Sequence, residues 1–367
     1  MSREAQRQQW LQATIDERGW HLERASSDAG FRSYWRLHRN GGDSVIVMDS
    51  PPALEDVRPW LARRATLADA GVRVPGLLAA DDQAGFLLLE DLGPRTYLHL
   101  LTQTNADALF DRALDQLLRL QAATPVPALP RYDRALLQRE LALFPDWFLE
   151  RHLGLALTRG ERAMLDTAGA HLVDAALAQP QVLVHRDFMP RNLLPTGGCL
   201  AAAGNVGDTG SAGGASGTDA SSAPDDGPVG IDFQDAVLGP VAYDPASLFR
   251  DAFISWPAER IDGWLRRYHA RALGAGIPVQ ADLADFLQAV DWIGVHRHLK
   301  VLGIFARLQH RDGKPRYLAD AWRFITYLEQ ATPAWQPLAP LADFLHQRVR
   351  PALAAASQPA PAMANVP

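Results

Sequence analysis

The sequence predicts an α+β fold in which a small β-rich lobe precedes a larger, mainly helical lobe. Short runs of aromatic and β-branched residues, bounded by turn residues, cluster in residues 1–90. Apolar residues at helical spacing dominate residues 91–350. A chain of 367 residues with 47% hydrophobic content and ten Trp residues is large enough to form both lobes.

The small lobe begins with a helix and continues with strands. One apolar face of the helix is formed by Trp10, Leu11, Ile15 and Trp20. The further elements of this lobe are predicted at 31–37 (strand), 40–43 (Gly-rich turn), 44–48 (strand), 54–70 (helix) and 86–89 (strand).

The larger lobe is predicted to be helical, apart from two short strands around the motifs described below. Apolar residues recur at helical spacing in the segments 105–122, 134–152, 159–178, 245–272, 281–308 and 318–330. The tail 351–367 is rich in Ala and Pro, and we expect it to fray.

Residues 196–228 interrupt this pattern between the two short strands. They contain nine Gly, seven Ala and four Ser, and they have no aromatic residue and no Lys or Arg. Such a segment buries too little apolar surface to offset the entropy that it loses on ordering, so we predict a disordered insertion at the tip of a hairpin. Because loop-closure entropy grows slowly with length, the longer loop costs the fold only about 2 kcal/mol.

The overall composition argues against several classes of protein. A net charge of −6 is unlike that of a general nucleic-acid-binding protein, and no apolar run is long enough to span a membrane. The first twenty residues are polar, unlike a signal peptide, and the single Cys199 permits no intrachain disulfide. We therefore expect a soluble cytoplasmic protein, and the sequence makes no prediction of its oligomeric state.

Two short motifs combine the residue types that phosphoryl transfer needs. The first runs from His185 to Asn192 and contains Asp187, and the second, 231–235, contains Asp232. In phosphotransferases with this pattern, the first Asp accepts the proton of the attacking hydroxyl, while the Asn and the second Asp hold Mg²⁺. Asp187 is therefore predicted to be the catalytic base, and Asn192 and Asp232 the metal ligands. The alternative interpretation is a turn-forming Asp187 and a capping Asn192.

These motifs and their strands resemble the active site of the aminoglycoside phosphotransferase and choline kinase superfamily, which has the protein-kinase-like fold. The resemblance covers nearly the whole chain and implies ATP and Mg²⁺ as cofactors. It also implies that His185 and Arg186 brace the catalytic loop and that Asp244 has a structural role. As a helix start before Pro245, Asp244 also fits a simple cap.

The resemblance places ATP against the small lobe. Ser26, Ser27 and Gly30 lie between two predicted strands, where related kinases have a loop that covers the phosphates. An ordinary hairpin turn is the alternative for this segment. Glu90 and Leu92 belong to the segment that resembles the connector whose backbone binds the adenine edge.

One residue of the superfamily pattern is missing. Most relatives have a phosphate-binding Lys on the third strand, at about Met48, but the first 299 residues of this chain contain no Lys. One interpretation is that an Arg such as Arg32, Arg36 or Arg58 supplies the positive charge in place of the Lys. Another is that phosphate binding relies on Mg²⁺ and the backbone. A catalytically inactive pseudokinase that binds nucleotide as a partner scaffold is a third interpretation.

Several segments are similar to the bacterial cell-wall amino-sugar kinases, which phosphorylate the anomeric hydroxyl of N-acetylmuramate or N-acetylglucosamine for peptidoglycan recycling. The similar segments are 31–36, 47–52, 86–93, 140–148 and 303–308. The resemblance implies an amino-sugar substrate, for which Asp235, Trp147 and Arg307 are candidate contacts.

Each substrate candidate has a structural alternative: Asp235 as an acceptor within its loop, Trp147 as a core residue and Arg307 as part of a solvated helix face. Residues 296–316 contain six Lys or Arg and one acidic residue, and a sugar carboxylate could bind to part of that cluster. The competing substrate class is an aminoglycoside or another small alcohol, which in the polycationic case calls for an acidic pocket.

Overall fold

The computed structural model describes residues 1–15, 19–27, 31–39, 42–123, 129–203 and 227–356. The chain forms two compact units. The first consists of Met1–Ala128 and His185–Ala236, and the second of Leu129–Val184 and Val237–Pro367. Both predicted motifs therefore belong to the first unit. The predicted lobe boundary at residue 90 does not coincide with these units and stays a prediction.

A five-stranded antiparallel sheet forms the main β-structure of the first unit. Its strands are β1 (Trp20–Ser27), β2 (Ser33–Arg39), β3 (Ser44–Asp49), β4 (Leu77–Asp81) and β5 (Phe86–Glu90), in the order β1-β2-β3-β5-β4. Met48 on the central strand pairs with Tyr34 on one side and Leu87 on the other. Its side chain is fully buried, so the position predicted for a phosphate-binding Lys holds a core residue.

The helices of the first unit include one that is bound to the sheet by ion pairs. The helices are α1 (Arg3–Thr14), α2 (Arg58–Asp69), α3 (Tyr97–Leu100), α4 (Ala106–Ala122) and, later in the chain, α7 (Gly197–Ala202). Arg3 and Arg7 on α1 pair with Asp49 at the end of β3, at 2.7 and 3.0 Å. Trp20 packs in the same apolar cluster as Leu11, as predicted, but it begins β1 and does not continue α1.

The second unit is mainly helical. Its helices are α5 (Arg134–Leu141), α6 (Arg159–Ala178), α8 (Tyr243–Phe249), α9 (Ala258–Gly274), α10 (Leu283–Asp312), α11 (Ala321–Ala331), α12 (Ala339–Phe344) and α13 (Arg350–Ala356). Two antiparallel strands, β6 (Gln181–Val184) and β9 (Val237–Pro240), pair beside them. The thirty-residue α10 contributes Val295, Leu302 and Ala306 to the apolar core of this unit.

The structure corrects three sequence predictions in the helical segments. The predicted helix 245–272 is two helices, α8 and α9, because the chain turns between them and Pro257 precedes the first residue of α9. Residues 144–152 of the predicted helix 134–152 form a π-helix, Phe144–His152. The tail is ordered through α13, where Leu353 is buried, and the rest of the predicted fraying tail, 357–367, lies outside the described residues.

The beginning of the predicted disordered insertion is also ordered. Residues 197–202 form α7, and Cys199 is buried there with its Sγ accepting a hydrogen bond from the Tyr97 hydroxyl at 3.0 Å. Cys199 behaves as a small apolar residue that anchors the segment. The remaining residues of that prediction, 204–226, lie outside the described residues.

No helix in the described residues is both long enough and apolar enough to cross a membrane.

Candidate active site

The loop that carries Asp187 and Asn192 is held in shape by hydrogen bonds within itself. After β6 the chain forms a short turn at Pro190–Asn192, in which the Asn192 N–H donates to the Met189 carbonyl at 2.8 Å. The Asn192 side chain donates from Nδ2 to the Asp187 backbone carbonyl at 3.0 Å. This bond fixes the spacing of Asp187 and Asn192 and orients the amide, whose oxygen is then available as an acceptor or ligand.

A short hairpin brings the second motif beside the first. Strands β7 (Leu193–Leu194) and β8 (Val229–Gly230) are antiparallel, and the Ile231 N–H donates to the Asn192 carbonyl at 3.0 Å. Asn192 and Asp232 therefore lie at the same end of this ladder, although forty residues separate them in sequence. The predicted pairing of these two strands is confirmed. Most of the insertion between them, 204–226, lies outside the described residues, so its place at the hairpin tip stays a prediction.

Asp232 has an unusual backbone conformation. Its φ of 68° is in the left-handed region, which a non-Gly residue rarely adopts without a constraint from its surroundings. Its carboxylate is about one-third exposed and accepts from Gln234 Nε2 at 2.7 Å. Arg186 has the same kind of conformation, with a φ of 75°. Strain at two positions of the two motifs is typical of a functional site.

His185 and Arg186 make contacts within the loop itself. The buried His185 ring meets the Phe188 ring edge to face, with 5.8 Å between centroids. Burial lowers the pKa of His185 to about 4, so the ring is neutral at pH 7. Arg186 donates from Nη1 to the Asp235 backbone carbonyl at 3.3 Å. These contacts agree with the bracing role that the resemblance implies.

The lowered pKa of His185 predicts an acid-sensitive fold. The unfolded chain binds the His185 proton more tightly than the folded protein does, so stability is lost as pH falls from about 6.5 towards about 4. The difference corresponds to about 3 kcal/mol. Urea unfolding at pH 7 and pH 4.5 should show a smaller loss for His185→Leu than for the parent protein. An equal loss in both proteins would contradict this assignment.

Arg32 is the predicted Arg candidate that reaches the carboxylate of Asp232, the predicted metal ligand. It is buried, and its Nε lies 3.1 Å from Glu55 Oε1 while its Nη2 lies 3.6 Å from Asp232 Oδ1. Arg36 instead forms a two-bond pair with Asp91, at 2.6 and 3.0 Å, which raises the pKa of the Arg36 guanidinium. Arg36 is therefore engaged beside the connector.

The third Arg candidate is engaged as well. Arg58 is mostly exposed and pairs with Asp56 at 2.8 Å, two residues away in sequence. Glu55, the partner of Arg32, was not predicted as a site residue. Its only sequence signal is an acidic residue just before a helix, and such residues are common on protein surfaces.

The connector after β5 has one side chain fixed and one backbone position without a hydrogen bond. Glu90 accepts from Arg73 at 2.6 Å and from the Gly76 N–H at 2.9 Å, and the Arg73 pair helps to lower the pKa of Glu90 against the effect of burial. Leu92 makes no backbone hydrogen bond to another described residue. Its peptide groups can therefore serve the adenine-binding role that was predicted for this connector.

The predicted phosphate-covering loop is described only in part. Ser26 and Ser27 are the last two residues of β1 and not part of a loop, which corrects their predicted position between strands. Gly30 lies outside the described residues. The predicted role of this segment in phosphate binding stays a prediction.

Three predicted residues belong to the second unit. Trp147 is partly buried in the π-helix, and the Arg151 guanidinium lies 4.1 Å from its ring centroid. Arg307 on α10 is half-buried. Burial, and to a smaller extent the positive charge of nearby Arg311, lower the pKa of its guanidinium. Asp244 is fully buried in the first turn of α8. Because Ala242 is the N-cap of that helix, the alternative of Asp244 as a simple cap is wrong.

The basic cluster at 296–316 is not one exposed surface. Arg297 is buried, and the buried Lys300 pairs with Glu140 at 3.0 Å and donates to the Tyr243 hydroxyl at 3.2 Å. Arg311 pairs with its neighbour Asp312 at 2.7 Å. Because several of these charges are matched by nearby acids or held inside the unit, the cluster does not support the choice of an anionic sugar over a cationic drug.

The side chains present fit a magnesium site whose coordination is completed by phosphate oxygens of a bound nucleotide. Mg²⁺ in nucleotide-dependent enzymes is usually held by one or two carboxylates together with water and phosphate oxygens. Asp232 supplies one partly exposed carboxylate, and the orientation of the Asn192 amide leaves its oxygen available. Among the described residues no cluster of three or more His, Cys, Asp or Glu side chains could hold a metal alone. Asp232 and Asn192 therefore fit a Mg²⁺ ion whose remaining ligands are water and phosphate oxygens.

The fold is shared with known phosphotransferases at low sequence identity. A choline/ethanolamine kinase family protein from Mesorhizobium loti has a TM-score of 0.58 and 15% identity, with 92% of this chain and 99% of that chain covered. The ADP-bound aminoglycoside phosphotransferase APH(2'')-Ib has a TM-score of 0.54 and 14% identity, covering 89% and 98% of the two chains. The predicted α+β, protein-kinase-like fold is confirmed.

Closer relatives are found by sequence. Residues 21–202 match the model of a phosphotransferase enzyme family. The chain is 47% identical over 359 residues to an N-acetylmuramate/N-acetylglucosamine kinase of Pseudomonas aeruginosa, covering 94% of this chain and 97% of that protein. Relatives of the same name from Pseudomonas putida and Neisseria meningitidis are 47% and 39% identical, over 88% and 95% of this chain and 87% and 97% of the relatives. The chain therefore belongs to the N-acetylmuramate/N-acetylglucosamine kinase family of phosphotransferases.

Proposed function

We propose that this chain transfers the γ-phosphoryl group of ATP, with Mg²⁺, to the anomeric hydroxyl of N-acetylmuramate or N-acetylglucosamine. The product is the sugar 1-phosphate, and the reaction serves peptidoglycan recycling. The observation that carries the proposal is the arrangement of Asp187, Asn192 and Asp232, in a chain with 47% identity to kinases of that name. Asn192 donates to the Asp187 carbonyl and accepts, at its own carbonyl, from the N–H of Ile231, the residue before Asp232.

In this proposal Asp187 binds the sugar hydroxyl and accepts its proton as the phosphoryl group is transferred. A half-buried carboxylate on a braced loop keeps a fixed direction towards the attacking oxygen, which is the main requirement for a base in this reaction. The Asn192–Asp187 hydrogen bond couples the position of the base to that of the metal ligands.

Asn192 and Asp232 would hold Mg²⁺, which when bound neutralises charge on the phosphate oxygens. The Gln234 side chain holds the Asp232 carboxylate, and the Asn192–Ile231 backbone bond keeps both ligands at one end of the hairpin. Leu92 in the connector would bind the adenine edge through its peptide groups. Arg32 is assigned to the phosphates because, of the three Arg candidates, it contacts Asp232.

The substrate is tested by a transfer assay. Purified protein, Mg²⁺ and labelled ATP are offered N-acetylmuramate, N-acetylglucosamine, kanamycin and choline in separate reactions. We expect label in both amino sugars, and the product should lose its reducing end because the phosphate occupies the anomeric position. A labelled sugar that keeps its reducing end would contradict the proposed acceptor hydroxyl.

The other outcomes separate the competing functions. Transfer to kanamycin or choline but to neither sugar would favour a drug or small-alcohol kinase. Binding of ATP without transfer to any of the four compounds would favour a nucleotide-binding scaffold. Asp187→Asn protein is the control for contaminating kinases, since transfer by its preparation should be at least about 10²-fold lower.

A further inference from the structure

The first unit contains a buried cation in a place that the sequence pattern left open. The central strand has Met48 in its core-facing position, and no Lys occurs before Lys300. Arg32, immediately before β2, is only 7% exposed and contacts carboxylates from two distant segments of the chain. A buried guanidinium between two carboxylates needs a functional or structural reason, because its desolvation is costly.

The two contacts of Arg32 differ in distance. Nε lies 3.1 Å from Glu55 Oε1, which is a close ion pair, while Nη2 lies 3.6 Å from Asp232 Oδ1, which is beyond a normal hydrogen bond. Asp232 is also bonded to Gln234 at 2.7 Å. Glu55 is therefore the stronger partner, and the contact with Asp232 is the easier one to exchange.

The local charges indicate when that exchange occurs. One guanidinium faces two carboxylates, so the three side chains together carry an excess negative charge. A divalent cation on Asp232 would reverse that sign and repel the guanidinium, whereas phosphate oxygens beside the cation would attract it. A guanidinium has five N–H donors on a planar fork, so it can keep its ion pair with Glu55 while Nη2 changes partner.

We propose that Arg32 is the phosphate-binding cation of this site and that Glu55 is the positioning residue that holds it. This inference rests on the proposed function, because it requires ATP at the same site. Nη2 lies 3.6 Å from Asp232 Oδ1. When nucleotide binds, this nitrogen would donate to a phosphate oxygen, and Asp232 would then be available to hold Mg²⁺. The Arg32–Glu55 pair thus does the work of a strand-three Lys and its paired Glu in protein kinases, with both residues at different positions.

The test compares nucleotide binding with nucleoside binding. Titration calorimetry measures the Kd of ATP with Mg²⁺ and the Kd of adenosine for the parent protein, Arg32→Ala, Arg32→Lys and Glu55→Gln. Loss of a charge-assisted hydrogen bond should raise the Kd of ATP roughly 10-fold to 100-fold in Arg32→Ala and about 3-fold to 10-fold in Glu55→Gln. The Kd of adenosine should not change, because adenosine has no phosphate.

Matched controls come from the neighbouring exposed pair. Asp56→Asn and Arg58→Ala remove an ion pair one to three residues from Glu55 and should leave both Kd values unchanged. Arg32→Lys should bind ATP more tightly than Arg32→Ala, and Glu55→Gln should add no further loss to Arg32→Ala. If Arg32→Ala does not fold, the ratio of the ATP Kd to the adenosine Kd in Arg32→Lys and Glu55→Gln tests whether Arg32 binds the phosphates.

The result that overturns the inference is an unchanged ATP Kd in the Arg32 and Glu55 variants, or an equal rise for adenosine and ATP. The transfer assay with the parent protein keeps this outcome separate from the proposed function. Sugar phosphorylation by the parent protein together with unchanged ATP binding by the variants would reject the Arg32 assignment alone. Absence of sugar phosphorylation would reject the proposed function, whatever the variants show.

Discussion

Replacing Asp187 with Asn is expected to lower kcat for sugar phosphorylation by roughly 10²-fold to 10⁴-fold, because the variant loses the carboxylate that we propose as the acceptor of the hydroxyl proton. The amide is similar in size, and the Asn192 side chain donates to the backbone carbonyl of residue 187, which the substitution retains. The loop should therefore keep its shape. Binding of ATP with Mg²⁺ should stay nearly unchanged, since Asn192 and Asp232 remain in place.

Two measurements check this result. Steady-state kinetics with N-acetylmuramate give kcat, and titration calorimetry gives the Kd of ATP with Mg²⁺. Asp69→Asn, which removes an exposed carboxylate at the end of α2 in the same unit, is the control and should leave both values unchanged. A large loss of ATP binding in Asp187→Asn would mean that Asp187 holds the metal and is not the base.

Much of the site could be predicted because its parts are local. The segments His185–Asn192 and 231–235 carry their own strand and turn signals, and a hairpin is the simplest way to join them. The apolar patterns likewise predict β2, β3, β5 and the long helices to within a few residues. In each case side-chain alternation or helical spacing within one segment reflects its burial.

The remaining features depend on contacts between distant segments. Glu55 could not be predicted as a site residue, because nothing near it in sequence indicates that Arg32 and Asp232 lie on the same side of the unit. The order around Cys199 could not be predicted either. The composition of the segment 196–228 indicates disorder, but Cys199 is buried and accepts a hydrogen bond from the Tyr97 hydroxyl, which orders the residues around it. A low-complexity pattern predicts the absence of a large core and does not exclude one buried anchor.

The structure also gives a reason for the acidic residue that follows Met48. Asp49 is buried at the end of β3 and binds two Arg side chains of α1, with Arg3 Nε at 2.7 Å and Arg7 Nη1 at 3.0 Å. The Arg7 guanidinium also lies 3.8 Å from the Trp35 ring centroid. The strand position beside the missing Lys is thus used to fasten the first helix to the sheet.

Replacing Asp49 with Ala is therefore expected to lower the free energy of unfolding by about 3–5 kcal/mol, because Arg7 is left buried without its carboxylate. Urea unfolding followed by Trp fluorescence measures the loss, and limited proteolysis should cut the variant within residues 1–19 sooner than the parent protein. Asp56→Asn, which breaks an exposed Asp–Arg pair in the same unit, should cost less than about 1 kcal/mol.

The stability lost in Asp49→Ala should come from the buried, unpaired charge of Arg7 and not only from the lost attraction between Asp49 and the two Arg side chains. A variant with Arg3→Met, Arg7→Met and Asp49→Leu together removes every charge of the cluster and keeps its apolar volume, so it should recover most of the stability that Asp49→Ala loses. Equal instability of the triple variant would show that α1 needs the ion pairs themselves. Because β3 pairs with both β2 and β5, loss of the contacts between α1 and Asp49 should also disturb the central strand of the sheet. The Kd of ATP is a second, independent measurement of that change.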